Sequence, residues 1–287
     1  MLQPMAYQDD MMKGSKDVVT AQTGNIKLSA MLKDKGLDAH LDKTCFIVCG
    51  SKQFREKAER DLESNPLMFG TFPVKQKISD KYLGQVLHSG GVECSAQATV
   101  MERSGKIKGA SMEIKSIVEE YQMQTCGGLI AARELWERAL VPSLISGAGT
   151  WLGECKIAID LCDQIQNFFW RVILKVPESC PKVALRCETG MLGMKWRVWQ
   201  EKIFLLMRIR NHNEDTLCKQ IYEEGKSKGW PGLSQEVRQI CQNIDIPDVN
   251  EQYVPKHVVK RAVFDDHYQE MEKEVKKMKI SKMMIFL

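Results

Sequence analysis

The sequence predicts an α+β fold, in which a small antiparallel sheet with helices is followed by an all-helical region. The first observation is a set of short apolar runs, separated by turn-forming residues, within residues 1–91. The second is a long succession of amphipathic helical patterns that begins at residue 92. The composition changes at Ser89-Gly90-Gly91. The chain therefore divides into a mixed part at 1–91, a helical part at 92–250 and a polar, frayed tail at 251–287.

The composition is that of a globular protein. With 287 residues, of which 44% are hydrophobic and 27% are charged, the chain can bury a substantial core. A net charge of +4 excludes neither nucleic acid nor neutral partners, because the distribution of charge decides this. Ten cysteines without a Cys-x-x-Cys pair argue against zinc knuckles, and we expect reduced thiols in an intracellular protein of the nucleus or cytoplasm. The apolar end Met283–Leu287 is too short to span a bilayer, so no membrane partner is predicted.

The first predicted element is a tight hairpin that begins at Pro4. Its two arms, Ala6-Tyr7 and Met11-Met12, suit a half-buried ribbon, and Gln8-Asp9-Asp10 supplies the turn. The tip then presents two adjacent carboxylates. Such carboxylates repel each other unless a cation lies between them, and hard oxygen ligands are what Mg²⁺ prefers. The alternative interpretation is an Asp-rich turn without a ligand.

Helices and strands alternate in the rest of the first part. Helical spacing of apolar residues after Val18 predicts a helix that ends at Lys35-Gly36, and the run Cys45–Cys49 predicts a buried strand. Ser51 caps a charged helix that ends near Asn65-Pro66. Three extended pieces follow, predicted as an antiparallel hairpin and one further strand, at 67–69, 71–74 and 81–87.

The remainder is predicted to be helical up to a polar end. Pro247 to Pro255 is predicted as a linker, and the charge-rich segment after it as a solvated or frayed helix. The predicted helices cover 92–122, 129–140, 157–174, 195–210, 214–226 and 233–243.

One of these helices interleaves basic and aromatic residues. Basic side chains can follow a phosphate backbone, and aromatic rings can stack on bases. Trp196 and Trp199 share an apolar stripe with Ile203 and Leu206, however, so burial in a helical core is favoured over nucleic-acid contact. The interleaved residues are Lys195, Trp196, Arg197, Trp199, Lys202, Arg208 and Arg210.

Taken in order, these pieces resemble the reverse transcriptases of non-LTR (LINE-type) retrotransposons, from within the palm subdomain onward. Ala6-Tyr7-Gln8-Asp9-Asp10 resembles the catalytic hairpin. Asp42-Lys43-Thr44, preceded by Gly36-Leu37 and followed by the strand at 45–48, resembles the next palm motif, and Lys81-Tyr82-Leu83-Gly84 resembles the primer grip. Looser matches continue to about residue 250. The resemblance implies the C-terminal part of a polymerase palm at 1–91 and a helical thumb and connection region at 92–250.

The resemblance further implies an RNA-directed DNA polymerase, a nucleotidyltransferase that uses an RNA template, a DNA primer and a dNTP. Such transfer uses two Mg²⁺ ions that clamp the attacking and leaving oxygens. Asp9 would be a direct metal ligand and Asp10 its hairpin neighbour. Lys43 would stabilise charge or donate a proton at the triphosphate. The alternative for Lys43 is a surface lysine beside a strand.

The primer and nucleotide contacts implied by the resemblance come from two places. Tyr7 would lie beneath the primer terminus, and Gln8 occupies the variable position of the motif. Tyr82, Leu83 and Gly84 would contact the primer, because a glycine lets backbone approach closely. The alternative for Gly84 is an ordinary strand glycine.

The chain departs from the family pattern at the chemistry itself. The family takes another carboxylate from an earlier palm strand and holds its substrates with a fingers subdomain, whereas only eight residues precede Asp9 here. We therefore expect an incomplete two-metal site, a truncated palm that is inactive alone, and self-association through the exposed hairpin edge. The alternative, of a different class, is a non-catalytic RNA- or protein-binding module derived from such an element.

Overall fold

A computed structural model describes residues 5–7, 10–120, 126–229 and 231–277. These residues form an α+β fold that is 65% helical and in which each sheet has two strands, so helices dominate the architecture. The chain divides into two units, Met1–Ala98 and Thr99–Leu287. The division falls inside helix α3, Val92–Glu120, shortly after the predicted change at Ser89-Gly90-Gly91.

The described part of the first unit alternates short strands with two helices. Its strand pairs are β1 with β2, β4 with β5 and β7 with β8, all antiparallel, and β3 with β6, which is parallel. The predicted single antiparallel sheet is therefore replaced by separate two-stranded pairs. The elements are β1 Met5–Tyr7, β2 Asp10–Met12, α1 Val18–Asp34, β3 Cys45–Phe46, α2 Lys52–Ser64, β4 Met68–Phe69, β5 Phe72–Pro73, β6 Lys75–Gln76, β7 Ser79–Tyr82 and β8 Gln85–His88.

Helix α1 begins at an Asp17 cap and packs on β4. The Asp17 carboxylate accepts a hydrogen bond from the Thr20 N–H at 2.6 Å, which satisfies one amide that a helix start leaves unpaired. Two amide side chains of α1 then bond to the backbone of Met68. Gln22 Oε1 accepts from its N–H at 2.7 Å, and Asn25 Nδ2 donates to its carbonyl at 3.2 Å. Helix and strand are therefore joined at both backbone groups of one residue.

Two predicted strands differ from the structure. The run Cys45–Cys49 is a strand only at Cys45–Phe46, because its parallel partner β6 is itself two residues long. The run 81–87 is not one strand but a hairpin, with Tyr82 opposite Gln85. The chain reverses there because Leu83 and Gly84 both adopt a positive φ, 47° and 78°. By contrast, the Ser51 cap of α2 is confirmed, since its hydroxyl accepts from the Phe54 N–H at 3.3 Å.

The first unit buries few apolar side chains. Its buried apolar residues within the described ranges are Leu32, Ala58, Leu67, Phe69 and Ala96. Apolar burial is the main favourable term in folding, so this unit has a small hydrophobic contribution for its length. Its large apolar residues that remain exposed include Met11, Val19, Ile26, Met31, Leu37, Phe72, Ile78 and Leu83.

The second unit is helical, as predicted. Beyond α3, a π-helical turn at Trp136–Leu140 and a 3₁₀ turn at Ala148–Thr150 interrupt the α-helices. The helices are α4 Cys126–Leu135, α5 Val141–Ile145, α6 Lys156–Leu174, α7 Lys182–Thr189, α8 Met194–Arg210, α9 Leu217–Ser227, α10 Leu233–Asn243 and α11 Lys256–Lys277.

Aromatic side chains fill the core of this unit in two places. Trp136 stacks on Phe169 of α6 with ring centroids 4.7 Å apart, and Trp170 meets Phe169 edge-on at 5.0 Å. A second cluster joins α8, α10 and α11 around Trp196 and Ile203. Large buried aromatic rings contribute strongly to stability, so both places are major parts of this core.

The segment predicted as a linker and a frayed helix is packed. Val249 and Val254 are buried between α10 and α11, and Val259 and Val263 of α11 are buried against the second cluster. Trp196 Nε1 on α8 donates to the Asp266 carboxylate at 2.8 Å. Val259 and Val263 are four residues apart on α11, so a narrow apolar stripe suffices to dock a helix that is otherwise charged. The predicted end of the tail, 278–287, lies outside the described residues.

Candidate functional site

The predicted catalytic hairpin is an antiparallel strand pair. Met5 lies opposite Met12, Ala6 opposite Met11, and Tyr7 opposite Asp10. Asp10 is therefore the first residue of β2 rather than part of the turn. Gln8 and Asp9, which carry the rest of the predicted site, lie outside the described residues.

Lysine 13 fixes the end of this hairpin on α1. Lys13 Nζ donates to the Ala21 carbonyl at 3.1 Å, and a side chain at Gly24 would overlap the Lys13 amino group. Partial burial lowers the pKa of Lys13 below its ordinary value. Gly24 is buried in the middle of α1, where glycine is unfavourable, and the close approach of Lys13 is the reason.

Lys43 lies in the turn that precedes β3. Its backbone N–H donates to the His40 carbonyl at 3.0 Å, and its side chain is exposed. The Thr44 hydroxyl donates to the same carbonyl at 3.0 Å. The turn thus holds Lys43 beside the start of a strand while leaving its amino group in solvent.

The predicted primer-grip residues lie at the tip of the β7–β8 hairpin. Tyr82 ends β7 and is half-buried, whereas Leu83 and Gly84 form the two-residue turn. Positive φ at both turn residues is typical of a type I′ turn, which matches the twist of a hairpin. Leucine is unusual there, and Leu83 is nevertheless 51% exposed.

A thiol–carboxylate contact that sequence reasoning missed joins β3 to β7. Cys45 Sγ donates to Asp80 at 2.8 Å, and Lys77 Nζ donates to the same carboxylate at 3.2 Å. Burial, together with the hydrogen bond and charge of Asp80, raises the pKa of Cys45 to about 11. The Cys45 hydrogen bond is the largest cause that lowers the pKa of Asp80. Cys45 is therefore a neutral thiol near pH 7 and a poor nucleophile.

No sequence signal pointed to this pair, because the two residues are 35 positions apart and Ser79-Asp80 reads as a turn. The contact nevertheless connects two predicted site groups. Lys43 precedes β3, β3 is bonded to β7 through Asp80, and β7 ends at Tyr82. The β1–β2 hairpin is connected to α1 through the hydrogen bond of Lys13. Lys43 therefore lies two residues before Cys45, and Tyr82 lies two residues after Asp80, on either side of this side-chain contact.

The basic and aromatic residues of α8 are mostly used inside the second unit, as favoured from the sequence. Trp196 is 3% exposed, and the cations around it bond to other helices and loops. Such pairing leaves little of this helix for a phosphate backbone. The bonds run from Lys195 to Glu270 at 3.1 Å, from Arg197 to Glu137 at 2.6 and 2.8 Å, from Lys202 to Glu236 at 2.7 Å, and from Arg210 to the carbonyls of Val249 and Gln252.

Within the described ranges, His, Cys, Asp and Glu side chains form no group of three or more that could hold a metal ion. Asp9 lies outside these ranges. In the same part of the chain, no helix is both long enough and apolar enough to cross a membrane.

Comparisons of the sequence with protein-family models and with curated proteins, and of the structure with solved structures, found no match.

Proposed function

We propose that the chain derives from the reverse transcriptase of a non-LTR retrotransposon and that its first unit carries the C-terminal part of the polymerase palm. The observation that carries this proposal is the antiparallel pairing of β1 and β2, in which Tyr7 lies opposite Asp10. The Tyr-x-Asp-Asp order thus coincides with a strand pair, which is what the resemblance requires. An Asp-rich segment inside a helix would have contradicted it.

The tip of the β7–β8 hairpin supports a contact with a primer. Leu83 has a φ of 47°, a left-handed conformation that costs a residue with a side chain about 1–2 kcal/mol. Half of Leu83 is exposed, so burial compensates this strain only in part. Residues held in strained conformations cluster at active sites and ligand-binding segments. A Cβ placed on Gly84 would meet nothing within 4 Å, which leaves open space for a ligand backbone.

The donor chemistry of the first hairpin suits Mg²⁺, since Asp9 and Asp10 supply adjacent hard oxygen ligands. These two residues would hold the metal, which when bound stabilises charge on the oxygens of a transferring phosphoryl group. Exposed Lys43 would add positive charge at the triphosphate of a nucleotide.

Metal binding is the first test, with Mn²⁺ as the spectroscopic probe. We expect Mn²⁺ titrated into the full chain to broaden amide NMR signals of β1 and β2. Asp9→Asn or Asp10→Asn should weaken binding about tenfold or more, because each removes a charged ligand. Asp38→Asn, which changes an exposed carboxylate between α1 and β3, is the matched control. Equal Mn²⁺ affinity in all three variants would count against the proposed site.

Primer extension is the second test. We expect no extension of oligo(dT) on poly(rA) by the 287-residue chain with Mg²⁺ or Mn²⁺, because Asp9 and Asp10 supply only part of the carboxylates that a two-metal site needs. Extension that disappears in Asp9→Ala and persists in Asp38→Ala would show that the chain polymerises, and the proposed inactivity would be wrong.

A further inference from the structure

A basic groove lies between the end of α8 and the start of α11, within the second unit. Its volume is about 520 Å³, and it is open to solvent. The charged and aromatic residues that line it are Arg208, Tyr253, Lys256, His257 and Lys260, and no Asp or Glu lines it. The groove therefore combines cations with an aromatic ring.

Acidic side chains that lie close in sequence to the groove residues are paired with other cations. Asp248 accepts from Arg238 at 2.7 Å, and Glu251 lies 3.3 Å from Arg238 and 3.7 Å from Lys226. Asp265 on α11 lies 3.8 Å from Arg261. Because these carboxylates are already paired, they reduce the positive potential of the groove only weakly.

The groove cations are exposed, and two of them, Arg208 and Lys256, contact Phe204. Arg208 Nε donates to the Phe204 carbonyl at 3.3 Å, and Lys256 Nζ lies 5.6 Å from the centre of the Phe204 ring. In the described ranges, Arg208, Lys256 and Lys260 form no ion pair. The start of α11 at Lys256 adds the positive partial charge of a helix N-terminus.

Tyr253 presents an aromatic face beside these cations. It is 75% exposed, yet both of its neighbours are fixed. The Gln252 carbonyl accepts from Arg210 at 3.2 Å, and Val254 is buried. An exposed ring carried on a backbone held on both sides can stack on a planar ligand.

We propose that this groove binds single-stranded nucleic acid, with backbone phosphates at Arg208, Lys256 and Lys260 and a base stacked on Tyr253. Backbone phosphates would bind the three cations, and a base would stack on the tyrosine ring. An acidic peptide would satisfy the charges, but acidic side chains have no planar group that stacks on a ring as a base does. The inference goes beyond the proposed function, because it requires neither the Asp9-Asp10 hairpin nor polymerase activity.

The charge of the groove is tested by fluorescence anisotropy with the full chain and labelled oligo(U) and oligo(dT) of about 12 nucleotides. The triple variant Arg208→Gln, Lys256→Gln and Lys260→Gln should bind about tenfold more weakly at low salt. The slope of its log affinity against log salt concentration should be shallower by about two to three, one for each lost phosphate contact. The matched control is Arg138→Gln, Lys182→Gln and Lys273→Gln, which removes the same charge from exposed positions outside the groove. It should bind within about twofold of the unmodified chain.

The ring is tested separately. Tyr253→Ala should weaken binding about fivefold or more, whereas Tyr253→Phe should retain it, because stacking needs the ring and not the hydroxyl. Tyr268→Ala, at a 49% exposed position on α11, is the control and should not change affinity. In an experiment that needs no variant, a 5-bromouridine oligonucleotide should cross-link under ultraviolet light to the peptide containing Tyr253.

Several results would overturn the inference. These are the absence of oligonucleotide binding, equal losses in the groove and control triple variants, or a cross-link that maps away from residues 204–260. Competition by poly-Glu as strong as by unlabelled oligonucleotide would instead assign the groove to acidic peptides. Comparison of oligo(U) with oligo(dT) tells whether RNA or DNA is the better ligand.

Discussion

His267 of α11 is a buried histidine packed against Trp196. It is 3% exposed, its ring lies 4.5 Å from that of Trp196, and its Nε2 has no hydrogen-bond partner among the described residues. Burial is the largest cause that lowers the pKa of His267 from 6.5 to about 4. The charges of Arg186 and Arg197 act in the same direction, whereas those of Glu270 and Asp266 oppose the change.

A loss of stability in mild acid follows. Because the folded pKa of His267 lies below its unfolded value, the unfolded chain binds more protons between pH 6.5 and about 4. The stability is fully present above pH 6.5 and is lost as the pH falls towards 4. We expect the free energy of unfolding to fall by about 2 kcal/mol between pH 7 and pH 4.5 from this group, measured by guanidinium denaturation.

Two variants separate His267 from the other groups that titrate in this range. His267→Met keeps an apolar side chain beside Trp196. It should reduce the acid-induced loss in the free energy of unfolding by about 2 kcal/mol. His212→Gln changes an exposed histidine and should leave the loss unaltered. If the unmodified chain and His267→Met lose stability equally, His267 does not control the packing of α11.

At the scale of single elements, the β7–β8 hairpin carries a turn residue that its geometry disfavours. Leu83→Asn should stabilise the hairpin by about 0.5–1 kcal/mol, because asparagine tolerates the left-handed region far better than leucine. Gly84→Ala should destabilise it by about 1 kcal/mol through the backbone alone, since the added Cβ meets no neighbour. Amide hydrogen exchange across residues 79–88 measures both effects.

Leu83→Ala is the control for this turn, because it shortens the side chain without relieving the left-handed backbone. Its amide protection should not exceed that of the unmodified chain. Faster exchange in both Leu83→Asn and Leu83→Ala than in the unmodified chain would show that the leucine side chain, rather than backbone preference, stabilises the hairpin.

The elements also show which features could be predicted from the sequence. The Ser51 cap and the Trp196 stripe depend on residues within one or two turns, and both are confirmed. The turn at Leu83 was missed because leucine is not a turn residue. The stripe of α11 was missed because Val259 and Val263 are few among many charges, and their burial depends on α8, which is distant in sequence.

The same limit applies to the candidate site. Asp9, Asp10, Lys43 and Tyr82–Gly84 could be proposed because each lies in a short motif with an expected order. The Cys45–Asp80 contact could not, since a thiol and a carboxylate 35 positions apart show no periodic pattern. The groove residues Arg208 and Lys256 likewise meet only after the chain folds.

At the scale of the whole chain, the two units differ in how much apolar surface they bury. The first unit has few buried apolar residues, whereas the second has the Trp136 and Trp196 clusters. Local opening is easier where few apolar contacts must break. In the full chain, we therefore expect amides of Met1–Ala98 to exchange faster than those of α6 and α8, as measured by mass spectrometry.

Paired core variants provide the control. Phe69→Ala should accelerate exchange within Met1–Ala98 and leave α8 protected. Ile203→Ala should accelerate exchange in α8, α10 and α11 and leave Met1–Ala98 unchanged. Equal protection in both units, or acceleration of both by either variant, would show that the chain opens as one cooperative body. A fragment that stops at residue 250 is not a suitable alternative, because it lacks α11.

The packed segment between α10 and α11 has a consequence for proteolysis. A protease must draw several residues of its substrate into an extended conformation, so it cleaves loops that can leave the surface. Here Arg210 holds the carbonyls of Val249 and Gln252, and buried Asn250 bonds to the Ser234 carbonyl at 3.0 Å. Although its sequence resembles a cleavable linker, we expect this segment to resist proteases in the folded chain. Limited digestion should therefore leave α10 joined to α11 and cleave the chain at other positions.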